Sequence, residues 1–225
     1  MRPRGGGRVS TTEATTPVLA AVPTARGRRT RAKIVEAGRR VLAERGYFQS
    51  TVADLTAESG VALGTLYRYF PNKEAVYGEI LESVMEELRE SVSGSWTKGE
   101  ELASLRESSR RYLEAYCRNR KLISGLIDMA AAKPEYDRRW WELRNRTFER
   151  KERYLDRVLA DGDLDPTFAA VALASMVEQF AFHSFIQSSR YGRPLPDIDD
   201  AADTLSRIWY RAIYAERAVR VPDAG

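Results

Sequence analysis

Residues 51–73, TVADLTAESGVALGTLYRYFPNK, concentrate polar side chains that can hydrogen-bond to nucleic acid. They carry hydroxyl or ammonium groups suited to phosphate oxygens and base edges: Thr51, Thr65, Tyr67, Tyr69 and Lys73. Gly64 lacks a side chain, so the backbone at that position can approach DNA closely. These residue types and their spacing favour a DNA-binding surface.

Two short helices must position these groups. Thr51 is followed three residues later by Asp54, a pattern that caps a helix N-terminus, and Gly60 supplies the left-handed conformation that ends the helix. Pro71 ends a second helix, and Asn72 can cap the next one. Two short helices around a glycine turn predict a helix-turn-helix, whose second helix enters the major groove.

The string GTLYRYF at residues 64–70, followed by NKE at 72–74, resembles the signature of the tetracycline-repressor (TetR) family of transcription regulators. AERGY at 43–47 and the pair TV at 51–52 match the same family at the same spacing, and the resemblance covers about residues 28–81. It implies that Tyr67 and Tyr69 contact DNA. Where this family often has a polar residue and then a lysine or arginine, the chain has Ala62 and Leu63. Leu63 cannot donate to guanine, so we expect sequence preference to depend more on Thr65, Tyr67 and DNA shape.

Residues 1–27 are rich in Gly, Thr, Pro, Ala and Arg, which predicts a disordered basic arm. It is either a solvated tail or an arm that follows phosphates or enters the minor groove. Arg28 and Arg29 lie closest to the folded part and are the better candidates for DNA contact. We expect residues 28–74 to form the DNA-binding domain, a three-helix bundle whose first helix spans 30–45.

The remaining chain has helical periodicity, so the fold class predicted is all-α with about nine helices. We expect helices at about 75–93, 101–118, 121–132, 134–159 and 165–189, and another from 199. Residues 75–218 would form an effector-binding and dimerisation domain, and 219–225 a tail.

Aromatic and apolar residues of this second domain can line a ligand cavity. The candidates are Tyr112, Tyr116, Met129, Trp140, Trp141, Phe148, Met176, Phe180 and His183. Their aromatic density is high, and Glu178, Gln179 and His183 add polar groups beside Met176 and Phe180. Together these features favour a cavity over a plain core for the domain as a whole. For any one of these residues, a place in the ordinary core is the alternative.

By the layout of the TetR family, the last two long helices pack against the same pair of a second subunit. Residues 176–186 are apolar almost all round, as a helix buried on two sides must be. The predicted homodimer contacts are Phe182, Phe185, Ile186, Leu205, Ile208, Trp209 and Ile213. A dimer would place two recognition helices on successive major grooves of palindromic double-stranded DNA, ~34–36 Å apart.

Composition excludes several other classes. The 225 residues are 43% hydrophobic and 30% charged with a net charge of +4, which is typical of a soluble globular protein. Cys117 is the single cysteine and His183 the single histidine, so we expect no disulfide, metal site, cofactor or catalytic residues. No apolar run approaches the ~18–20 residues of a membrane span, and no apolar segment follows the basic N-terminus, so we expect a cytoplasmic protein without a signal peptide.

Three functions remain open. The first is a regulator released from DNA by a small, largely apolar effector, and repression is the usual mode of the family that it resembles. The second is a DNA-binding protein of the same fold without a small-molecule effector, which a filled second-domain core would favour. The third, an enzyme, has little support because no phosphate loop or metal-ligand cluster is present.

Overall fold

The computed structural model describes residues 24–93, 97–158 and 164–214, and this part of the chain is all-α, as predicted. Its helices are α1 (Ala25–Gln49), α2 (Val52–Ser59), α3 (Leu63–Tyr69), α4 (Lys73–Ser91), α5 (Glu101–Ala132), α6 (Pro134–Val158), α7 (Pro166–Arg190) and α8 (Ile198–Tyr214). Within α7, Phe182–Gln187 form a π-helical turn.

Helix α1 is longer at both ends than the predicted 30–45. It begins at Ala25 because the Thr24 hydroxyl accepts a hydrogen bond from the Gly27 N–H, at 3.1 Å. It continues to Gln49 through a kink at Gly46, where φ is 71°. Residues 25–27 are therefore helical rather than part of a disordered arm. Residues 1–23 of the predicted arm and the 219–225 tail lie outside the described residues.

Helix α5 is continuous over residues that were predicted to form two helices, which gives eight helices in the described part of the chain. The predicted break fell at residues 118–121, but Asn119 is 6% exposed and lies on the packed face. Its Nδ2 donates to Glu87 Oε2 of α4 at 3.0 Å, and its Oδ1 accepts from Arg39 of α1 at 3.2 Å. Arg39 and Glu87 also pair at 2.9 Å, so three helices meet at one polar cluster.

The starts of α6 and α7 follow their sequence signals. Pro134 is the first residue of α6. The Asp165 side chain accepts the Phe168 N–H at 3.0 Å, and Pro166 is the first residue of α7. Proline suits this position because the first helical N–H has no intrahelical partner.

One buried cluster runs through both halves of the fold. It joins Ile34 of α1 and Leu66 of α3 to Leu113 of α5 and Trp209 of α8. Helix α4 lies between the halves and buries Val76, Tyr77, Ile80, Leu81, Val84 and Leu88. The helix-turn-helix is thus connected to the second domain through α1 and α4, which both pack on α5.

Helix α7 is long and apolar enough to cross a membrane by length and composition, with 39% of the apolar stretch buried. The sequence expectation that no such run exists was wrong. A core helix with apolar residues on more than one face meets the same criterion. Here one face packs on α6 and α5, while Phe168 and Val171 are exposed.

Candidate DNA-binding surface and effector cavity

Helices α2 and α3 form the predicted helix-turn-helix, and capping signals determine where α2 begins and ends. The Thr51 N–H donates to Asp54 Oδ2 at 2.8 Å, and the Thr51 hydroxyl accepts the Asp54 N–H at 3.2 Å. Gly60 ends α2 in the left-handed conformation, with φ at 61°. Leu55 of α2 and Leu66 of α3 are fully buried, so α3 is anchored by one face and presents the other.

The outer face of α3 is open. Leu63 and Tyr67 are 54% and 49% exposed. Gly64 has no other atom within 4 Å of the position that a Cβ would occupy. Thr65 is half-buried, and the Arg68 guanidinium lies 3.4 Å from its hydroxyl. A hydroxyl, a phenol, a guanidinium and an apolar side chain thus share this short helix, and Arg68 was missing from the predicted set although it lies within the motif.

Lys73 has a structural role that its sequence position did not reveal. Its ammonium donates to the carbonyl oxygens of Tyr47 at 2.8 Å and Ser50 at 2.7 Å. It also lies 4.5 Å from the centroid of the Tyr47 ring. Two of its three N–H donors therefore join the start of α4 to the end of α1, which weakens the prediction that Lys73 serves a phosphate.

Tyr69 is half-buried and packs against the first turn of α1. A Cβ at Gly27 would lie 3.5 Å from the Tyr69 hydroxyl, so the two helices approach closely there. Arg31 donates to the Tyr69 carbonyl at 3.2 Å, forms an ion pair with Glu79, and lies 4.4 Å from the centroid of Phe70. These contacts hold the end of α3 against α1 and α4.

Basic side chains of α1 lie near this surface. Arg28 and Arg29, both predicted to contact DNA, are exposed near the start of α1. Lys33, which was not predicted, is exposed with its Nζ 3.5 Å from the position of a Cβ on Gly60, in the turn before α3. A cation beside this turn is a further candidate for phosphate contact.

The second domain contains a cavity of about 490 Å³, within the ~300–1,000 Å³ range of small-molecule sites. Helices α4, α5, α6 and α7 enclose it. The lining residues are Met85, Leu88, Tyr112, Tyr116, Ile123, Ile127, Trp140, Arg144, Ser175, Glu178, Gln179 and Phe182. Phe182 is the first residue of the π-helical turn.

Three of the predicted ligand residues line this cavity: Tyr112, Tyr116 and Trp140. Others point elsewhere, since Met129 is fully buried in the core and Trp141 is 59% exposed. Met176 and Phe180 pack against the core without lining the cavity, and His183 is exposed with Nδ1 3.0 Å from Gln187 Oε1. The Phe148 side chain lies outside the described part of the structure.

The polar groups of the cavity are an ion pair and two phenols. Arg144 Nη2 lies 2.5 Å from Glu178 Oε2, which places opposite charges on α6 and α7 in contact. Burial lowers the pKa of Arg144, but the hydrogen bond and charge of Glu178 outweigh it and raise the pKa overall. Burial raises the pKa of Tyr112 and Tyr116, and nearby Glu178 adds to the effect, so both phenols stay neutral.

The cavity is connected to the DNA-binding half through α4. Met85 of α4 lines the cavity, while the first turn of the same helix is bonded to the end of α1. Helix α6 also rests on α4, where a Cβ at Gly78 would lie 2.9 Å from Tyr136 Cε1. Arg139 of α6 donates to Glu82 of α4 at 2.6 Å. A ligand that moves α6 would therefore push on α4.

Most residues predicted for the dimer interface are buried within the chain itself. Phe185, Ile186, Leu205, Trp209 and Ile213 are between 1% and 7% exposed because α7 and α8 turn these side chains toward α5. Phe182 is half-buried at the cavity.

Other side chains of these helices face outward. Ile208 of α8 is 45% exposed, and Phe168 and Val171 of α7 are 75% and 46% exposed. Helices α7 and α8 therefore keep an exposed apolar surface. Of the residues predicted for the dimer interface, Ile208 is the one that clearly lies in this surface.

Comparison with known proteins tests the helix-turn-helix assignment. Residues 34–80 match the sequence profile described as "Bacterial regulatory proteins, tetR family". This part of the chain is therefore similar to the DNA-binding region of the TetR family. This result agrees with the resemblance seen in the sequence and with the expectation that the chain is not an enzyme, since the matched family consists of regulatory proteins.

Curated relatives are similar to this chain over part of its length. The HTH-type transcriptional repressor DhaR of Mycobacterium sp. strain GP1 is 38% identical over 65 residues, which is 29% of this chain and 33% of DhaR. The fatty acid metabolism regulator protein of Bacillus subtilis strain 168 is 37% identical over 75 residues, 32% of this chain and 39% of that protein. The match thus spans only about a third of the length of these curated relatives.

The fold of most of the chain also resembles that of solved TetR-family structures. A crystal structure of a TetR-family transcriptional regulator from Syntrophomonas wolfei str. Goettingen superposes with a TM-score of 0.65 at 18% identity, covering 83% of this chain and 95% of the other. At that identity the similarity concerns the fold alone.

Proposed function

We propose that the chain is a sequence-specific, DNA-binding transcriptional regulator in which α3 enters the major groove. The observation that carries the proposal is the exposed face of α3, on a helix whose other face is anchored by the fully buried Leu66. Thr51, Gly64, Thr65, Tyr67 and Arg68 would make the groove and backbone contacts, with Arg28, Arg29 and Lys33 near phosphates. Tyr69 and Lys73 remain candidates whose polar groups are partly used within the fold.

The proposed regulator is a cytoplasmic homodimer on a palindromic operator. The support is the apolar surface that α7 and α8 leave exposed, including Phe168, Val171 and Ile208. A pairing of this surface with its copy would be isologous, as in most two-fold dimers. It would also cover the apolar face of α7, whose composition otherwise suits a membrane.

A small-molecule effector in the α4–α7 cavity would release the protein from DNA. The cavity volume of about 490 Å³ favours this function over an effector-free protein, for which a filled core is expected. Release requires that the effector binds more tightly to the arrangement that does not fit the operator. Repression is proposed because DhaR, 38% identical over 65 residues, is named a repressor.

The test is DNA binding by the purified protein at ~150 mM salt. A duplex from upstream of its own gene is compared with random duplex of equal length. We expect the upstream duplex to bind at least ~10³-fold more tightly, as a sequence reader does. A Leu66→Asp variant, which disrupts the anchor of α3, serves as a control that must bind neither duplex. Equal and weak binding of both duplexes by the wild type would count against the proposal.

A further inference from the structure

We infer that the α4–α7 cavity takes an uncharged, multi-ring aromatic ligand that carries hydrogen-bonding oxygen atoms. The inference rests on the proposed effector function and names the ligand class of the same cavity. It follows from the balance of charge, the aromatic lining and the phenol hydroxyls.

The charges of the described cavity lining are opposite and paired. Among the described residues that line the cavity, only Arg144 and Glu178 are charged, and they pair with each other across α6 and α7. Both are largely removed from solvent, with side chains 35% and 24% exposed. A carboxylate ligand would have to displace Glu178 from Arg144, and an ammonium ligand would have to displace Arg144. Either exchange breaks an existing ion pair in a partly desolvated site, which is costly.

A neutral ligand avoids that cost. The Glu178 carboxylate keeps lone pairs beyond its contact with Arg144. A hydroxyl of the ligand can therefore donate to Glu178 without breaking the ion pair.

The aromatic side chains that line the cavity suit a ligand with flat rings. Tyr112, Tyr116, Trp140 and Phe182 come from three different helices and line the same space. The centroids of Tyr112 and Tyr116 lie 5.9 Å apart at an interplanar angle of 47°, so the rings are not stacked face to face on each other. Aromatic side chains gain energy from stacked or edge-on contact with a ligand ring beyond the area that they bury.

The hydroxyls of the two phenols make no hydrogen bond with any described residue, although Tyr116 as a whole is only 6% exposed. Because both side chains line the cavity, a ligand oxygen would supply the missing hydrogen bond.

The experiment compares three ligands that share one ring system: 9-hydroxyphenanthrene, phenanthrene-9-carboxylate and 9-(aminomethyl)phenanthrene. At pH 7 they are neutral, anionic and cationic. Isothermal titration calorimetry of the full-length dimer without DNA measures each affinity. We expect the neutral ligand to bind at least ~10-fold more tightly than both charged ones, because one hydrogen bond to a charged group is worth ~1.5–3 kcal/mol, or ~10-fold and more.

Two variants locate the binding site. Glu178→Gln removes the carboxylate that pairs with Arg144, so phenanthrene-9-carboxylate should gain ~10-fold or more in affinity relative to the wild type. Tyr116→Phe keeps the ring and removes the hydroxyl, so the neutral ligand should lose ~2–10-fold. Ala131→Arg, an exposed change at the end of α5, is the control and should alter no affinity.

Several outcomes overturn the inference. Tightest binding of the carboxylate or the ammonium compound by the wild type would mean that the ion pair yields to a charged ligand. Binding of the neutral compound unaffected by Tyr116→Phe would place it elsewhere. If none of the three binds while the same preparation binds its operator, the ligand class is wrong and the DNA-binding proposal stands.

Discussion

Gly125 of α5 lies directly against Leu42 of α1. A Cβ at Gly125 would come within 2.7 Å of Leu42 Cδ1 and 3.0 Å of its Cγ, and Leu42 is fully buried. The contact allows α5, a long helix of the second domain, to approach the helix that supports the recognition helix. Because glycine has no side chain at this position, α5 and α1 can pack closely, and this contact sets the distance between the two halves of the fold.

Gly125→Ala should therefore destabilise the protein, although alanine favours helices. We expect overpacking to cost ~1–3 kcal/mol of the free energy of unfolding, measured by urea denaturation. Leu42→Ala shortens the neighbouring side chain and makes room for the added methyl group. Gly125→Ala should therefore cost less free energy of unfolding in a Leu42→Ala background than in the wild type. Additive effects of the two substitutions would contradict the contact.

Gly64→Ala should affect DNA binding but not folding. Nothing lies within 4 Å of a Cβ at this exposed position, so the free energy of unfolding should not fall. If the α3 backbone approaches the groove here, the added methyl group should weaken operator binding by ~10-fold or more. Electrophoretic mobility shifts would measure the affinity. Unchanged affinity would remove Gly64 from the proposed interface.

Lys73→Met should lower stability more than it alters DNA binding. The ammonium donates to two carbonyl oxygens, and hydrogen bonds from a charged donor are worth ~1.5–3 kcal/mol. We expect a loss in that range by urea denaturation and an unchanged salt dependence of operator binding. A fall in the slope of log affinity against log salt by ~0.9, with unchanged stability, would instead identify Lys73 as a phosphate contact.

Neighbouring substitutions on α8 should separate the dimer surface from the core. Ile208→Arg adds a charge to an exposed apolar position and should yield folded monomers by light scattering. Trp209→Arg adds the same charge to a side chain that is 7% exposed and should instead prevent folding, as seen by circular dichroism. Ala131→Arg on α5 is the matched control and should remain dimeric. A persistent Ile208→Arg dimer would place the interface on other residues.

The capping box of α2 should make stability depend on acid pH. The hydroxyl and then the N–H of Thr51 hold the pKa of Asp54 below its ordinary value. A carboxylate with a lowered folded-state pKa contributes stability above its unfolded pKa and loses that contribution as pH falls through the folded pKa. Between about pH 5 and about pH 3, the melting temperature of the wild type should fall more than that of Asp54→Asn. Equal falls would contradict this role.

Local signals in the sequence were sufficient to predict the helix-turn-helix. The caps at Thr51 and Asp165 and the left-handed Gly60 depend on neighbours within four residues, and all three occur as expected. The continuity of α5 could not be predicted in this way. It depends on Asn119, whose partners are 32 and 80 residues away in sequence.

The cavity was predictable only in part because the rotation of a helix is set by its packing. Trp140 lines the cavity and Trp141 is exposed, although both suited a ligand site by residue type. Adjacent residues of a helix point about 100° apart, so only one of them faces inward. Aliphatic lining residues such as Ile123 and Ile127 carry no sequence signal that separates a cavity wall from a core.

The unbroken buried cluster that links α1 and α3 to α5 and α8 has a thermodynamic consequence. Neither half has a core that closes without the other, so calorimetry should record a single cooperative melting transition. An effector bound to the native state would raise that one transition temperature by mass action. The recognition helix would then be protected from heat by a compound that never touches it.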